Sequence, residues 1–219
     1  REIARILSNY FSFSDTTFLD STRNKNLISK YDLDGDKLEG YLFPDTYYFY
    51  PHAGPSEIID KMVSTLFDKI SGDLHKQIKD SKYSLHEILT LASIIEGECI
   101  LDKERPTVSS LYHNRLNRRM HLNADPTIQY IIPDPPRRLL REDLKIQSPY
   151  NTYINYGLPP GPVNNPGLSS IKAAVNPANT NYIYMVAKGN GEHAFTRDYD
   201  KFLEYKQDFQ EYRRKVNNQ

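Results

Sequence analysis

Tryptophan is absent from this 219-residue chain, and cysteine occurs once, at Cys99. A lone cysteine excludes an intrachain disulfide and leaves the compartment open. Net charge is missing too, because 28 Lys and Arg balance 28 Asp and Glu. No global field therefore draws the chain to nucleic acid or to an anionic bilayer, and no nucleic-acid partner is expected. No run approaches the roughly 18 to 20 apolar residues that span a bilayer, and no signal peptide is visible. The sequence starts at Arg1, without an initiator Met, directly in a helical pattern. It reads as a trimmed chain from which an anchor could have been cut away. A phosphate-binding glycine loop and a G-x-S-x-G elbow are both lacking, and the six histidines are scattered without metal-ligand spacing. Cys99 has no evident base partner, so neither a cofactor nor a metal is expected.

What is abundant is tyrosine, 17 of them, with 9 Phe, 14 Pro and 10 Gly. This suits a compact fold with many turns and tyrosines that can meet sugars through ring and hydroxyl together, although any single Tyr more often fills a core. The length allows one generous domain or a main domain with a small partner.

Residues 1–38 mix a short helical pattern, Ile3, Ile6 and Leu7, with turn-rich sequence such as Ser14-Asp15 and Asp34-Gly35-Asp36. They read as the remainder of a small module, with the main domain over 39–219. The aromatic stretch Leu38 to Tyr50, broken by Pro44, reads as strand, turn, strand. Pro55 opens a helix with Ile59, Met62, Leu66 and Ile70 at helical spacing. Ser84 and Glu87 form a capping box ahead of Leu85, Ile88, Leu89 and Ala92. A helix from about Arg105 to Arg119 follows, with Pro106 in its first turn. Residues 133 to 167 hold eight prolines and little periodicity, which marks a functional or disordered loop. A short helix at Leu168 to Val175 precedes a hairpin, Tyr182 to Ala187 turning at Lys188-Gly189-Asn190-Gly191 into His193 to Thr196. An aromatic-studded helix closes the chain. The expected class is α+β, with helices packed on a small antiparallel sheet.

One carboxylate stands out. At about 100° per residue, Glu96 lies only about 20° from Leu85 and Leu89, inside the apolar arc of its helix. Burial disfavours a charged carboxyl, which is what a general acid near neutral pH requires. Glu98 points to the opposite, polar face and reads as an ordinary solvated residue. Periodicity alone leaves a second reading for Glu96, a border position that snorkels or pairs with an arginine such as Arg115.

The blocks LEGYLFPDTYYF (38–49), LASIIEGE (91–98), HNRL (113–116), ADPTIQY (124–130), SPYNTY (148–153), GLPPGPVNNPG (157–167), KAAVNPA and HAFTRDY together resemble the YceG-like family, the endolytic murein transglycosylases known as MltG. The resemblance implies a YceG-like catalytic domain preceded by a LysM-like module, of which residues 1–38 would be the remnant. It further implies a bacterial, single-pass inner-membrane protein whose anchor lies in a missing N-terminal part and whose catalytic domain faces the wall. Its substrate would be peptidoglycan glycan strands, and its partners cell-wall synthases and division proteins. The family cuts nascent strands between N-acetylmuramic acid and N-acetylglucosamine, leaving 1,6-anhydromuramyl ends. Its catalytic glutamate maps onto Glu96.

A lone acid suits that chemistry. Hydrolytic glycosidases use two carboxylates, whereas here the substrate's own 6-hydroxyl attacks, so one Glu protonates the leaving oxygen and then accepts the hydroxyl proton. The tethered nucleophile keeps a high effective concentration. Asp125, before Pro126, reads first as a helix N-cap that shapes the cleft. Asn114, Thr127 and Gln129 are candidate contacts to the acid or to acetamido groups, with helix-surface hydrogen bonding equally open. By resemblance Tyr150, Asn151 and Thr152 line the cleft with Tyr153, a set suited to an oxocarbenium-like transition state. Pro159 and Pro160 would stiffen a cleft wall, and His193 could contact the site or be an ordinary strand residue. Two other classes stay open: a hydrolase pairing Glu96 with Asp125, and a non-catalytic glycan-binding division module.

Overall fold

The computed structural model describes residues 1–33, 35–133 and 136–217. Asp34, in the expected turn, and Pro135, in the proline-rich loop, lie outside the described residues. Three short helices come first, α1 (Glu2–Ser8), α2 (Asp15–Ser21) and α3 (Lys25–Lys30). Ser14 caps α2 by accepting the Thr17 amide, and Phe18 sends its ring into the core. Leu38 N–H donates to Thr22 O at 2.9 Å, which folds the segment back. Lys30 and Tyr31 both reach Asp60 on the next helix, α4 (Pro55–Lys69). Ala4 and Phe18 belong to the same apolar core as α4, so residues 1–38 pack on the body of the molecule.

Residues 38–50 form no strand. The aromatic run reads as β by propensity, but no ladder partner exists for it among the described residues, and Leu38, Tyr41, Leu42 and Phe43 turn into the core instead. Its backbone donors are met elsewhere: Asn165 Oδ1 accepts from Gly40 N at 2.8 Å and from Leu42 N at 3.1 Å. Gly40 has φ +88° and lies where a Cβ would overlap the Pro162 ring, so only glycine lets this turn meet the 157–167 segment.

After α5 (Asp73–Asp80) comes the central helix, α6 (Leu85–Glu98). Its capping box is present in full, Ser84 Oγ accepting Glu87 N and Glu87 Oε2 accepting Ser84 N. Every residue from Ile88 to Ile95 is buried, Thr90 and Ser93 included, so the middle of α6 is covered on all sides. It packs on α7 (Arg105–Asn117), α8 (Asp125–Ile131) and above all α9 (Leu168–Val175). A 3-10 turn, Asp102–Glu104, joins α6 to α7.

The loop between α8 and α9 has one 3-10 turn, Asp143–Lys145, and is otherwise irregular. Its residues 157–167 are fixed to α6 at both ends: His86 Nε2 bonds Pro160 O at 2.9 Å, Val163 N donates to Ser93 Oγ at 3.0 Å, and Asn164 Nδ2 donates to Ser93 O at 2.7 Å. The hairpin is β1 (Tyr184–Ala187) against β2 (His193–Thr196), antiparallel with Tyr184 opposite Thr196. The final helix, α10 (Tyr199–Asn217), packs on it, and Tyr184 stacks with Phe202 at 4.8 Å. The fold is α+β, helix-rich with this small sheet. No helix among the described residues is long and apolar enough to cross a membrane.

Candidate active site

Glu96 sits in the last turn of α6 with 31% of its side chain exposed. Its Oε2 accepts the Gly167 N–H at 3.0 Å, and its Oε1 accepts Arg105 Nη2 at 3.3 Å. Gly167 is the N-cap of α9, so the carboxylate meets the positive end of that helix. Arg105 lies at the start of α7 with only 9% of its side chain exposed. Its Nη1 donates to Ser170 Oγ at 2.6 Å and its Nε to Asp102 Oδ1 at 2.7 Å. The shorter, better bond goes to Asp102, whose carboxyl that contact holds below the usual range. Glu96 thus shares its cation and keeps an open side. The arginine is Arg105 rather than Arg115, which donates instead to Ile183 O and Leu122 O.

Glu98 is not a solvated residue. It is half-buried at the α6–α7 contact, where its Oε1 accepts Tyr112 Oη at 2.8 Å. Burial, with the Asp125 charge beside it, pushes its carboxyl up to about 7. Tyr112, fully buried, is raised well above its ordinary value by that burial and by Glu98. Cys99, next along, is a buried thiol pushed up to about 12, an inert packing residue. Gly97 between the two glutamates packs on α8: a Cβ there would lie 2.6 Å from Pro126 Cγ.

Asp125 is not the N-cap of α8. Ala124 holds that position, with no side-chain cap, and Asp125 stands one residue inside the helix, exposed, where its carboxylate accepts the Tyr153 hydroxyl. That contact and burial raise Tyr153. Thr127, Asn151 and Thr152 are 0%, 0% and 1% exposed and have no surface to offer a ligand. Thr152 Oγ1 meets Thr127 Oγ1 at 2.9 Å and accepts Ala124 N at 3.0 Å, which ties the SPYNTY loop to the start of α8. Asn151 Nδ2 donates to Leu144 O and Ile146 O. Gln129 bonds both backbone groups of Arg137, and Asn114 Nδ2 donates to Thr180 O and Tyr182 O ahead of the hairpin. Tyr150 is half-buried, its ring 4.7 Å from Tyr130 and 5.3 Å from Lys37 Nζ. His193 bonds Glu104 at 2.8 Å, pinning the hairpin to the 3-10 turn one residue before Arg105.

Sequence spacing missed Arg105, Asp102, Ser170 and the Gly167 amide. They come from three separate elements, and only the Pro106 helix-start signal marked where Arg105 would stand.

The YceG-like family model matches residues 1–208. An endolytic murein transglycosylase of Bacillus subtilis is 44% identical over 161 residues, 73% of this chain and 44% of its own length. One from Streptococcus pneumoniae is 35% identical over 176 residues, 78% of this chain and 31% of its own. The chain therefore spans less than half the length of these curated relatives. The crystal structure of a YceG-like protein from Listeria monocytogenes superposes with a TM-score of 0.87 at 31% identity, covering 93% of this chain and 71% of the other. With the family model over residues 1–208 and relatives this similar, the chain belongs to the YceG-like family.

Proposed function

We propose that this chain is the catalytic part of an endolytic murein lytic transglycosylase, with Glu96 as its single acid/base. The observation that carries the reading is the Glu96 carboxylate itself, part-exposed at the end of a rigid helix and oriented by Arg105 and the Gly167 amide. The relatives named endolytic murein transglycosylases support it. Glu96 donates its proton to the glycosidic oxygen as the bond from N-acetylmuramic acid to N-acetylglucosamine breaks. The muramyl 6-hydroxyl then closes on the anomeric carbon and returns a proton to Glu96, so a 1,6-anhydro end forms and no water is consumed. Arg105, divided between Asp102 and Glu96, fixes the carboxylate without neutralising it fully.

Asp125 is exposed and Tyr150 and Tyr153 are half-buried, so these three keep surface with which to meet sugar. Asn114, Thr127, Gln129, Asn151 and Thr152 act through the backbone they hold. We read residues 1–38 as the remainder of a LysM-like module and place the membrane anchor outside this chain, with the catalytic part facing the wall and synthases or division proteins as partners. The test is Glu96→Gln on purified sacculi. Release of anhydromuramyl products should stop while circular dichroism and melting temperature stay unchanged. A variant that still releases them at the wild-type rate refutes the assignment.

A further inference from the structure

Two residues beyond Glu96, a carboxyl that the reaction does not use is built into the junction of three helices. Glu98 Oε1 accepts Tyr112 Oη of α7 at 2.8 Å, and the Asp125 charge at the start of α8 acts on it. The groups around it are Tyr112 and Arg115 from α7, Asp125 from α8, Tyr153 from the SPYNTY loop and Cys99 on its own strand of chain. Arg115 acts on it only as a nearby charge, its Nε and Nη1 donating to Ile183 O and Leu122 O. Asp125, meanwhile, is bonded to Tyr153. Gly97 leaves no spacer between this turn and Pro126, so a change at Glu98 reaches Glu96 through rigid backbone.

We propose that Glu98 is a positioning residue whose carboxyl, bonded to Tyr112, clamps the end of α6 to α7 and holds Glu96 in its working place. This rests on the reading of Glu96 as the acid. Ionisation would set a second negative charge beside Asp125 and loosen the clamp. The carboxyl titrates at about 7, above the ordinary Glu value, because burial outweighs the Tyr112 hydrogen bond. A raised folded value means that the proton stabilises the folded form. The contribution is complete below the unfolded value of about 4.5 and lost as pH rises through about 7.

Gln at position 98 offers one acceptor and one donor, as the protonated acid does, and cannot ionise. Turnover on sacculi and melting temperature are measured together from pH 5 to 8.5 for wild type, Glu98→Gln and Glu98→Ala. Wild-type turnover should fall about 5-fold between pH 7 and 8 if only the protonated clamp is competent, and its melting temperature should fall over pH 5 to 7. Glu98→Gln should lose both declines, and Glu98→Ala should be slow at every pH. A Glu98→Gln melting profile parallel to wild type, a Glu98→Gln rate profile superposed on wild type, or an unimpaired Glu98→Ala overturns the proposal. Activity in Glu96→Gln overturns the reading beneath it instead.

Discussion

Two glutamates close α6, and their surroundings differ in nearly every respect. Glu96 faces the start of α9, part-open to solvent, with an arginine and a backbone amide on its oxygens. Glu98, turned about 200° around the same helix, faces a tyrosine hydroxyl and another carboxylate, with no cation bonded to it. The difference follows from the neighbours that α6 meets at its end, α9 on one side and α7 on the other. Each side of its last turn meets a different neighbour, so two chemically identical residues stand in different surroundings, which suits the proposed acid/base role of one and the proposed positioning role of the other.

The contrast can be broken most sharply at Glu96 itself. Glu96→Gln should lower turnover on sacculi by about 10²- to 10⁴-fold, the span general acid catalysis contributes, measured as soluble product released. Next comes Arg105→Ala, which removes the bonds to Asp102, Ser170 and Glu96 together. Because Asp102 is largely exposed, the loss should be about 1–3 kcal/mol in denaturant unfolding, with turnover reduced as well. Arg105→Lys should not restore turnover, lacking the planar fork that reaches three partners.

Gly97→Ala tests whether the two environments are coupled. Gly to Ala inside a helix ordinarily stabilises by about 1 kcal/mol. Here a Cβ 2.6 Å from the Pro126 ring should reverse the sign, at a cost of about 1–3 kcal/mol, read by chemical denaturation. A stabilised variant would show that the α6–α8 contact yields. The smallest effect is expected at the far end of the helix. Ser84→Ala removes half of the capping box and should cost about 1 kcal/mol, with the pH dependence of turnover unchanged.

Local signals were the legible part of the fold. The Ser84–Glu87 box, the bounds of α9 at Leu168–Val175 and the glycine turn of the hairpin all follow from chemistry within a few residues. The aromatic run at 38–50 misled because propensity scores a residue's fit to a strand without knowing whether a partner strand exists. Glu98 misled because helical periodicity assumes one wet face, and the side of α6 that carries it packs on Tyr112 of α7. At the site, periodicity set Glu96 at the apolar border, and the structure finds it there part-exposed with a guanidinium on one oxygen. Arg105 was not legible, because nothing in spacing says that a guanidinium nine residues on will fold back across a 3-10 turn. Thr127 and Thr152 show the remaining limit. Two buried hydroxyls that satisfy each other look, in sequence, the same as two that wait for a ligand.

The central claim is cleavage without water by one carboxyl. Its most direct test is the mass spectrum of fragments released from sacculi by the wild-type chain. The account predicts 1,6-anhydromuramyl ends, one water lighter than hydrolysis products. Reducing muramic acid ends would contradict it and would return Asp125 as the second carboxylate.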